Sequence, residues 1–154
     1  MGTRSTTAFI QNDKWTDRAT GKTRKRKTHL VTCYKQYDGY PTGYGSELAE
    51  FLASGVLVKG FGMSDVKQFN GMGCLAAQVI NHFKEGTGGY YVSQKDDSQE
   101  YDYTVYNKDS KVYLKCVSPG WGEKYPEEII FDGEPKDFDA AIEERNKRPE
   151  EAEG

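Results

Sequence analysis

The chain of 154 residues has the usual size of one domain and is short for two. Hydrophobic residues make up 36% and charged residues 29%, and the formal net charge is -3. No run approaches the roughly 20 apolar residues of a membrane span, and this predicts a cytosolic protein. Cys33, Cys74 and Cys116 are odd in number and far apart in sequence, which argues against both a disulfide framework and a zinc site.

Two strands joined by a basic connection are predicted for the first part of the chain. Residues 6–11 and 29–37 have the composition of strands, and the polar stretch near residues 12–28 is predicted to be a long hairpin loop. Five positive charges fall within six residues of this loop: Lys22, Arg24, Lys25, Arg26 and Lys27. Such a basic patch is suited to a nucleic acid or an acidic protein, although a solvated loop without a partner is the alternative.

The next segment, residues 38–45, is rich in glycine and tyrosine and leads into a predicted helix. Ser46 has the character of an N-cap, and Leu48, Phe51 and Leu52 follow at helical spacing. Glycines allow close approach of a ligand, a helix N-terminus offers N–H groups to an anion, and tyrosine rings can stack on a base. The candidate ligand-binding residues are Tyr37, Asp38, Gly39, Tyr40, Gly43, Tyr44, Gly45 and Ser46. A purely structural turn remains the alternative, because Asp-Gly and Tyr-Pro are turn-forming pairs.

The middle of the chain is dominated by one periodic pattern. Residues 56–71 are punctuated by glycine and are predicted to be a connector. Six apolar residues then recur with the period of a helix and predict the central core helix, which ends before Gly86: Met72, Leu75, Ala76, Val79, Ile80 and Phe83.

The last third predicts mainly strands. Residues 89–94, 101–107 and 111–117 are predicted to form an antiparallel meander, with a further strand at 128–131 and a short helix at 138–144. The charged tail from residue 146 onward is predicted to be disordered. Together these elements predict one α+β domain over residues 1–145, an antiparallel sheet with two or three helices packed mainly on one face.

Catalytic chemistry has no signature in this sequence. The only two histidines, His29 and His82, lack the spacing of a metal site or of a nucleophile and its base. Gly21-Lys22-Thr23 has Thr16 where a phosphate-binding P-loop requires glycine. The sequence therefore favours a binding protein over an enzyme, with neither a catalytic residue nor a metal or cofactor assigned.

Two segments carry a resemblance to a known group. Residues 1–6, Met-Gly-Thr-Arg-Ser-Thr, and residues 34–41, Tyr-Lys-Gln-Tyr-Asp-Gly-Tyr-Pro, resemble uncharacterised small proteins of tailed bacteriophages that open with Met-Gly-Thr-Arg-Ser and carry an Asp-Gly-Tyr-Pro loop. Members of that group often have His and Trp before the loop, where this chain has Gln36 and Tyr37. The resemblance implies a viral protein of the host cytoplasm and leaves no role for a histidine mechanism here.

Two functions follow as expectations. The first is a non-enzymatic viral accessory protein that binds a small anionic ligand, such as a nucleotide or a cyclic nucleotide signal, at residues 38–46 and so evades a host defence by sequestration. The second is a virion-associated or protein-interaction module that uses the basic loop and exposed tyrosines. A homo-oligomer is compatible with either.

Overall fold

The computed structural model of the protein describes residues 3–60, 66–93, 99–120 and 123–147. The strands are β1 (Ser5–Thr16), β2 (Thr23–Lys35), β3 (Gly55–Val58), β4 (Lys67–Asn70), β5 (Tyr90–Ser93), β6 (Tyr101–Lys108), β7 (Lys111–Ser118) and β8 (Glu128–Gly133). The helices are α1 (Ser46–Ala53), α2 (Gly71–Phe83) and α3 (Phe138–Asn146). One π-helical turn, Pro41–Gly45, leads into α1, and one 3₁₀ turn, Pro135–Asp137, leads into α3.

Six strands form the main sheet in the order β5-β2-β1-β6-β7-β8. All neighbours are antiparallel except β1 and β6, which run parallel in the centre. The predicted α+β class, a mostly antiparallel sheet with three helices, is thereby confirmed. The predicted meander was wrong in one member: β6, β7 and β8 form it, whereas β5 lies at the far edge beside β2.

One hydrophobic core holds the helices to the sheet. Leu48 from α1, Leu75 from α2 and Phe138 from α3 lie fully buried against Val105 and Leu114 of the sheet. All three helices therefore cover the same face, as predicted. We call the opposite face of the sheet its open face.

The connector predicted at residues 56–71 contains two strands instead. β3 and β4 form a separate parallel pair that immediately precedes α2. A Cβ added at Gly55 would lie 2.9 Å from the ring of the fully buried Phe69 and would collide with it. Gly55, which directly precedes the predicted connector, thus permits close packing of this strand pair.

The predicted basic loop was also wrong in its extent. β1 continues to Thr16 and β2 begins at Thr23, so that only residues 17–22 turn between them. Of the basic patch, Lys22 lies in the turn and the other four residues lie in β2. The predicted tail falls outside the described residues except for Asn146, which ends α3, and Lys147.

Candidate functional site

The tyrosine- and glycine-rich segment at residues 38–46 turns the chain from β2 into α1. Tyr40 is extended, as is favoured before proline, and Pro41 starts the helical path one turn earlier than predicted. Ser46 therefore continues a helix, and the residue at the N-cap is Gly45, without a side-chain cap hydrogen bond. The prediction that Ser46 caps the helix was wrong, because the π-helical turn already occupies the preceding residues.

Five backbone N–H groups of this segment are already used within the chain. Gly39 donates its N–H to Thr3 O at 2.9 Å, and Tyr44 donates to Asp38 O at 2.9 Å. Three further N–H groups donate to carbonyl oxygens of the same turn: those of Gly43, Gly45 and Ser46. A helix N-terminus attracts an anion through free N–H groups, so this turn has less to offer an anion than its sequence suggested.

Tyr44 is directed into the core. Its side chain is 1% exposed, and its hydroxyl lies 2.7 Å from Thr7 Oγ1 and 3.0 Å from Tyr90 Oη. Burial raises the pKa of Tyr44 and of Tyr90 above the usual value and raises that of the neighbouring Cys33 thiol to about 11. These hydroxyls therefore stay protonated and serve as hydrogen-bonding groups of the core, which leaves Tyr44 out of reach of a stacked base.

The glycines of the segment allow close packing against the sheet. Tyr103, on β6, donates its hydroxyl to Gly39 O at 2.8 Å. A Cβ on Gly39 would lie 2.6 Å from Ser5 Oγ, and one on Gly45 would lie 2.7 Å from Tyr103 Oη. Of the predicted ligand-binding side chains, Tyr37 is 52% exposed and Tyr40 is 39% exposed. The structure brings the predicted residues together, but mainly as a packed junction.

An open cleft of about 550 Å³ lies near Thr3, at the start of β1. Tyr101 and Ser118 line it together with Glu100, whose carboxylate accepts the backbone N–H of Arg4 at 3.2 Å. The described lining holds a carboxylate and no basic side chain. A carboxylate repels an anion, so this cleft does not restore a small-anion site.

The basic part of the chain forms a projecting two-stranded arm, residues 11–28. The strands beside β1 and β2 do not extend along the arm. β6 pairs with β1 only as far as Ile10, and β5 pairs with β2 only from Thr32 onward. The arm holds seven Lys or Arg against two Asp, a formal net charge of +5, while the rest of the chain holds 14 against 22 acids, or -8. Positive charge is thus concentrated on one protruding ribbon.

The two faces of the arm differ in charge. Register places Asn12 opposite Lys27, Lys14 opposite Lys25 and Thr16 opposite Thr23, so one face carries three lysines and no carboxylate. We call this set, Lys14, Lys25 and Lys27, the lysine face; all three side chains are exposed.

The other face neutralises part of its charge internally. Arg24 Nε lies 3.1 Å from Asp17 Oδ2, and an Arg26 guanidinium nitrogen lies 3.7 Å from Asp13 Oδ2. Arg26 also lies 5.8 Å from the ring centroid of Trp15, which is 45% exposed. The arginines of the predicted basic patch are therefore engaged, and the lysines remain available.

The lysine face continues onto the open face of the sheet. Alternation along β1 and β2 puts Ile10 and His29 on the same side as the three lysines, and register extends that row to Tyr106 and Tyr113. The rings of the two tyrosines are stacked, with their centroids 5.6 Å apart and their planes at 19°. Tyr106 donates its hydroxyl to Asp132 Oδ1 at 2.5 Å, and burial together with this carboxylate raises the pKa of Tyr106.

Sequence reasoning missed Lys14, Tyr106 and Tyr113 as members of a surface. The pairing of β1 with β2 and β6, and of β6 with β7, brings them together over about 100 residues of sequence. The signal available in the sequence was the alternation along β6. Tyr103, Val105 and Asn107 share one face, so Thr104 and Tyr106 lie on the other, which assigns Tyr106 to the face opposite the core.

Neither a metal centre nor a membrane helix is found within the described ranges. No group of three His, Cys, Asp or Glu is placed there to hold a metal ion, and no helix of that part is long and apolar enough to cross a membrane. Comparison with protein families, curated proteins and solved structures gives no match. The function is therefore inferred from the geometry of the chain itself.

Proposed function

We propose that the protein binds nucleic acid through its basic arm, by contacts to the phosphate backbone. The observation that carries this proposal is the lysine face, where Lys14 and Lys25 lie directly opposite each other with Lys27 beside them. Like charges at directly opposed positions of an antiparallel pair destabilise it, and the face has no acid to relieve them. A polyanion supplies the missing counter-charge.

The shape of the arm supports the same partner. Six residues of β1 extend over about 20 Å at roughly 3.4 Å per residue. A two-stranded ribbon of this kind fits the major groove of DNA, about 12 Å wide, and equally follows the backbone of a single strand. Lysines act as point charges towards phosphate and carry no base code, so we propose binding with little sequence preference.

The charge of the remaining chain supports a defined orientation. Residues outside the arm carry a formal net charge of -8, which repels a phosphate backbone. A nucleic acid therefore approaches with the arm first. The resemblance to tailed-phage proteins supports a setting inside an infected bacterial cell, where such a protein would act as a non-enzymatic accessory factor.

The two sequence-based expectations receive unequal support. The small-anion site at residues 38–46 loses support because five of its N–H donors are bonded and Tyr44 is buried. The basic-patch expectation gains support, because the arm presents cations on a firm ribbon in place of a loop. We therefore keep the basic patch, with nucleic acid as its partner, and leave the small-anion site out of the proposal.

Salt-dependent binding tests the proposal. Fluorescence anisotropy with labelled oligonucleotides of about 20 nucleotides, single-stranded and duplex, gives Kd between roughly 50 and 200 mM salt. The slope of log Kd against log salt concentration reports the number of phosphate contacts, at about 0.7 per contact for a single strand. The triple variant Lys14→Gln, Lys25→Gln, Lys27→Gln should reduce this slope by about 2.

A charge-matched control isolates the arm. Lys59, Lys136 and Lys147 are exposed lysines outside it, and their joint replacement by Gln changes the net charge equally. This control should keep the wild-type slope. Absence of wild-type binding at the lowest salt, or an equal loss in both triple variants, would overturn the proposal.

A further inference from the structure

The strand register builds a continuous row across the open face. His29 of β2, Ile10 of β1, Tyr106 of β6 and Tyr113 of β7 are successive partners in it. Neighbouring strands lie about 4.8 Å apart, so the row extends over roughly 15 Å. It ends in the pair Tyr106–Tyr113, whose rings are nearly parallel, with their centroids 5.6 Å apart and their planes at 19°.

The two tyrosines face away from the core. The residues that precede Tyr106 and follow Tyr113 on the paired strands are Val105 and Leu114, which are 0% exposed and pack beneath the helices. Alternation along each strand therefore places both rings on the open face, where they are half-buried and retain exposed surface.

The neighbouring row is low enough to admit a planar group beside the rings. It consists of Thr32, Ala8, Thr104, Lys115 and Asp132 in register. Three of these side chains are small, Lys115 supplies a cation, and Asp132 accepts the hydroxyl of Tyr106. A base lying against the Tyr106–Tyr113 pair would meet little obstruction from the three small side chains.

Cations lie on the arm side of the rings. Lys108 and Lys111 are paired at the end of the β6–β7 hairpin, and both are exposed. Lys111 Nζ also lies 3.9 Å from Glu134 Oε1, which neutralises part of its charge. The base of the arm is joined to this hairpin by Asn12, which donates its side-chain amide to Asn107 O at 2.8 Å. The lysine face and the tyrosine pair therefore belong to one connected surface.

We propose that this surface selects single-stranded nucleic acid, with Tyr106 and Tyr113 stacking on unpaired bases while the arm holds the phosphates. The proposal rests on the nucleic-acid binding proposed above. Unpaired bases expose both aromatic faces, whereas bases of a duplex are already stacked on each other. Two half-exposed tyrosine rings beside a cationic ribbon therefore favour a single strand over a duplex.

Two double variants separate the aromatic rings from the hydroxyls. Tyr106→Leu with Tyr113→Leu removes the stacking surface, and Tyr106→Phe with Tyr113→Phe keeps it. The Leu pair should weaken binding of a single-stranded oligonucleotide about tenfold or more, while the Phe pair stays close to wild type. Duplex affinity and the salt slope should change little in both, since no phosphate contact is removed.

Tyr37→Leu is the matched control, because Tyr37 is an exposed tyrosine next to the 38–46 junction and lies away from the row. It should bind as wild type does. Thermal melting shows whether each variant is folded. If the Leu pair does not fold, the Phe pair tests the proposal by itself, because a loss of affinity in the Phe pair also contradicts stacking.

The outcomes separate the two proposals. Wild-type affinity in the Leu pair, together with a reduced slope in the triple-lysine variant, would overturn stacking and leave arm binding standing. A preference of the wild type for duplex, or a concentration-dependent dimer that the Leu pair abolishes, would likewise contradict it. No binding of any oligonucleotide would overturn the proposed function itself.

Discussion

Gly45 sets how closely the turn before α1 approaches the sheet. A Cβ at this position would lie 2.7 Å from Tyr103 Oη and 3.0 Å from Phe138 Cζ. Both neighbours are buried, and Tyr103 also holds Gly39 through its hydroxyl. The close approach therefore depends on the missing side chain.

Gly45→Ala should lower the free energy of unfolding by about 1–3 kcal/mol, because the added methyl group overpacks a filled core. Urea denaturation gives this value. Gly73→Ala is the matched control: Gly73 lies in α2 with nothing within 4 Å of where a Cβ would lie, and alanine should stabilise there by about 0.5–1 kcal/mol. Equal stability of the two variants would contradict the structural role of Gly45.

The same residues show where sequence reasoning reaches its limit. A Gly-Tyr-Gly run is compatible with a ligand loop and with a tightly packed turn. The difference lies in the direction of Tyr44, whose hydroxyl meets Thr7, 37 residues earlier, and Tyr90, 46 residues later. Local sequence does not encode these contacts, so the candidate residues could be found and their role could not.

At the scale of the element, the periodic segments were predictable and the charged strands were not. α2 follows its apolar period, and β6 and β7 follow their alternation and the turn between them. The outer parts of β1 and β2 are rich in Lys, Arg, Asn and Asp, which have low strand propensity. Hairpin pairing over twelve positions imposes the strand conformation on them.

Asn107 supports the arm where the β1–β6 ladder ends. Its side-chain oxygen accepts Asn12 N at 2.7 Å, and its side-chain nitrogen donates to Asn12 O at 2.9 Å. Asn107 is 9% exposed, so water has little access to replace these bonds. One side chain thus substitutes for the next pair of backbone partners and connects the arm to the sheet.

Asn107→Ala should lower stability by about 1–3 kcal/mol, because it leaves the N–H and the carbonyl of Asn12 without these partners. Amide hydrogen exchange should accelerate in the arm more than in β7, since the lost bonds lie at the base of the arm. Asn12→Ala removes a single side-chain donor and should have the smaller effect. An equal acceleration of exchange in the arm and in β7 would contradict the anchoring role.

At the scale of the whole molecule, charge is divided between the arm and the body. The arm has a formal net charge of +5 and the remaining chain -8. The basic patch was evident from the sequence, but the projecting arm was not, because projection depends on the strand order. β5 and β6 flank the inner halves of the hairpin only, because β2 pairs with residues 55 to 61 positions later and β1 pairs with residues 96 positions later.

This division predicts that the arm can be shortened without unfolding the body. Asp13 and Arg26 are cross-strand partners, so an Asn-Gly turn can replace residues 14–25 and close a two-residue hairpin between them. The change keeps Asn12 and its bonds to Asn107. It removes five cations and one carboxylate, which brings the net charge from -3 to -7.

The shortened protein should melt within a few degrees of wild type, because the replaced residues are mainly exposed and contribute little to the core. Its affinity for a single strand should fall further than that of the triple-lysine variant, since the body then repels phosphate without a basic arm to offset it. Calorimetry and anisotropy at low salt measure the two quantities. A folded, shortened protein with wild-type affinity would place the phosphate contacts on the sheet and exclude the arm.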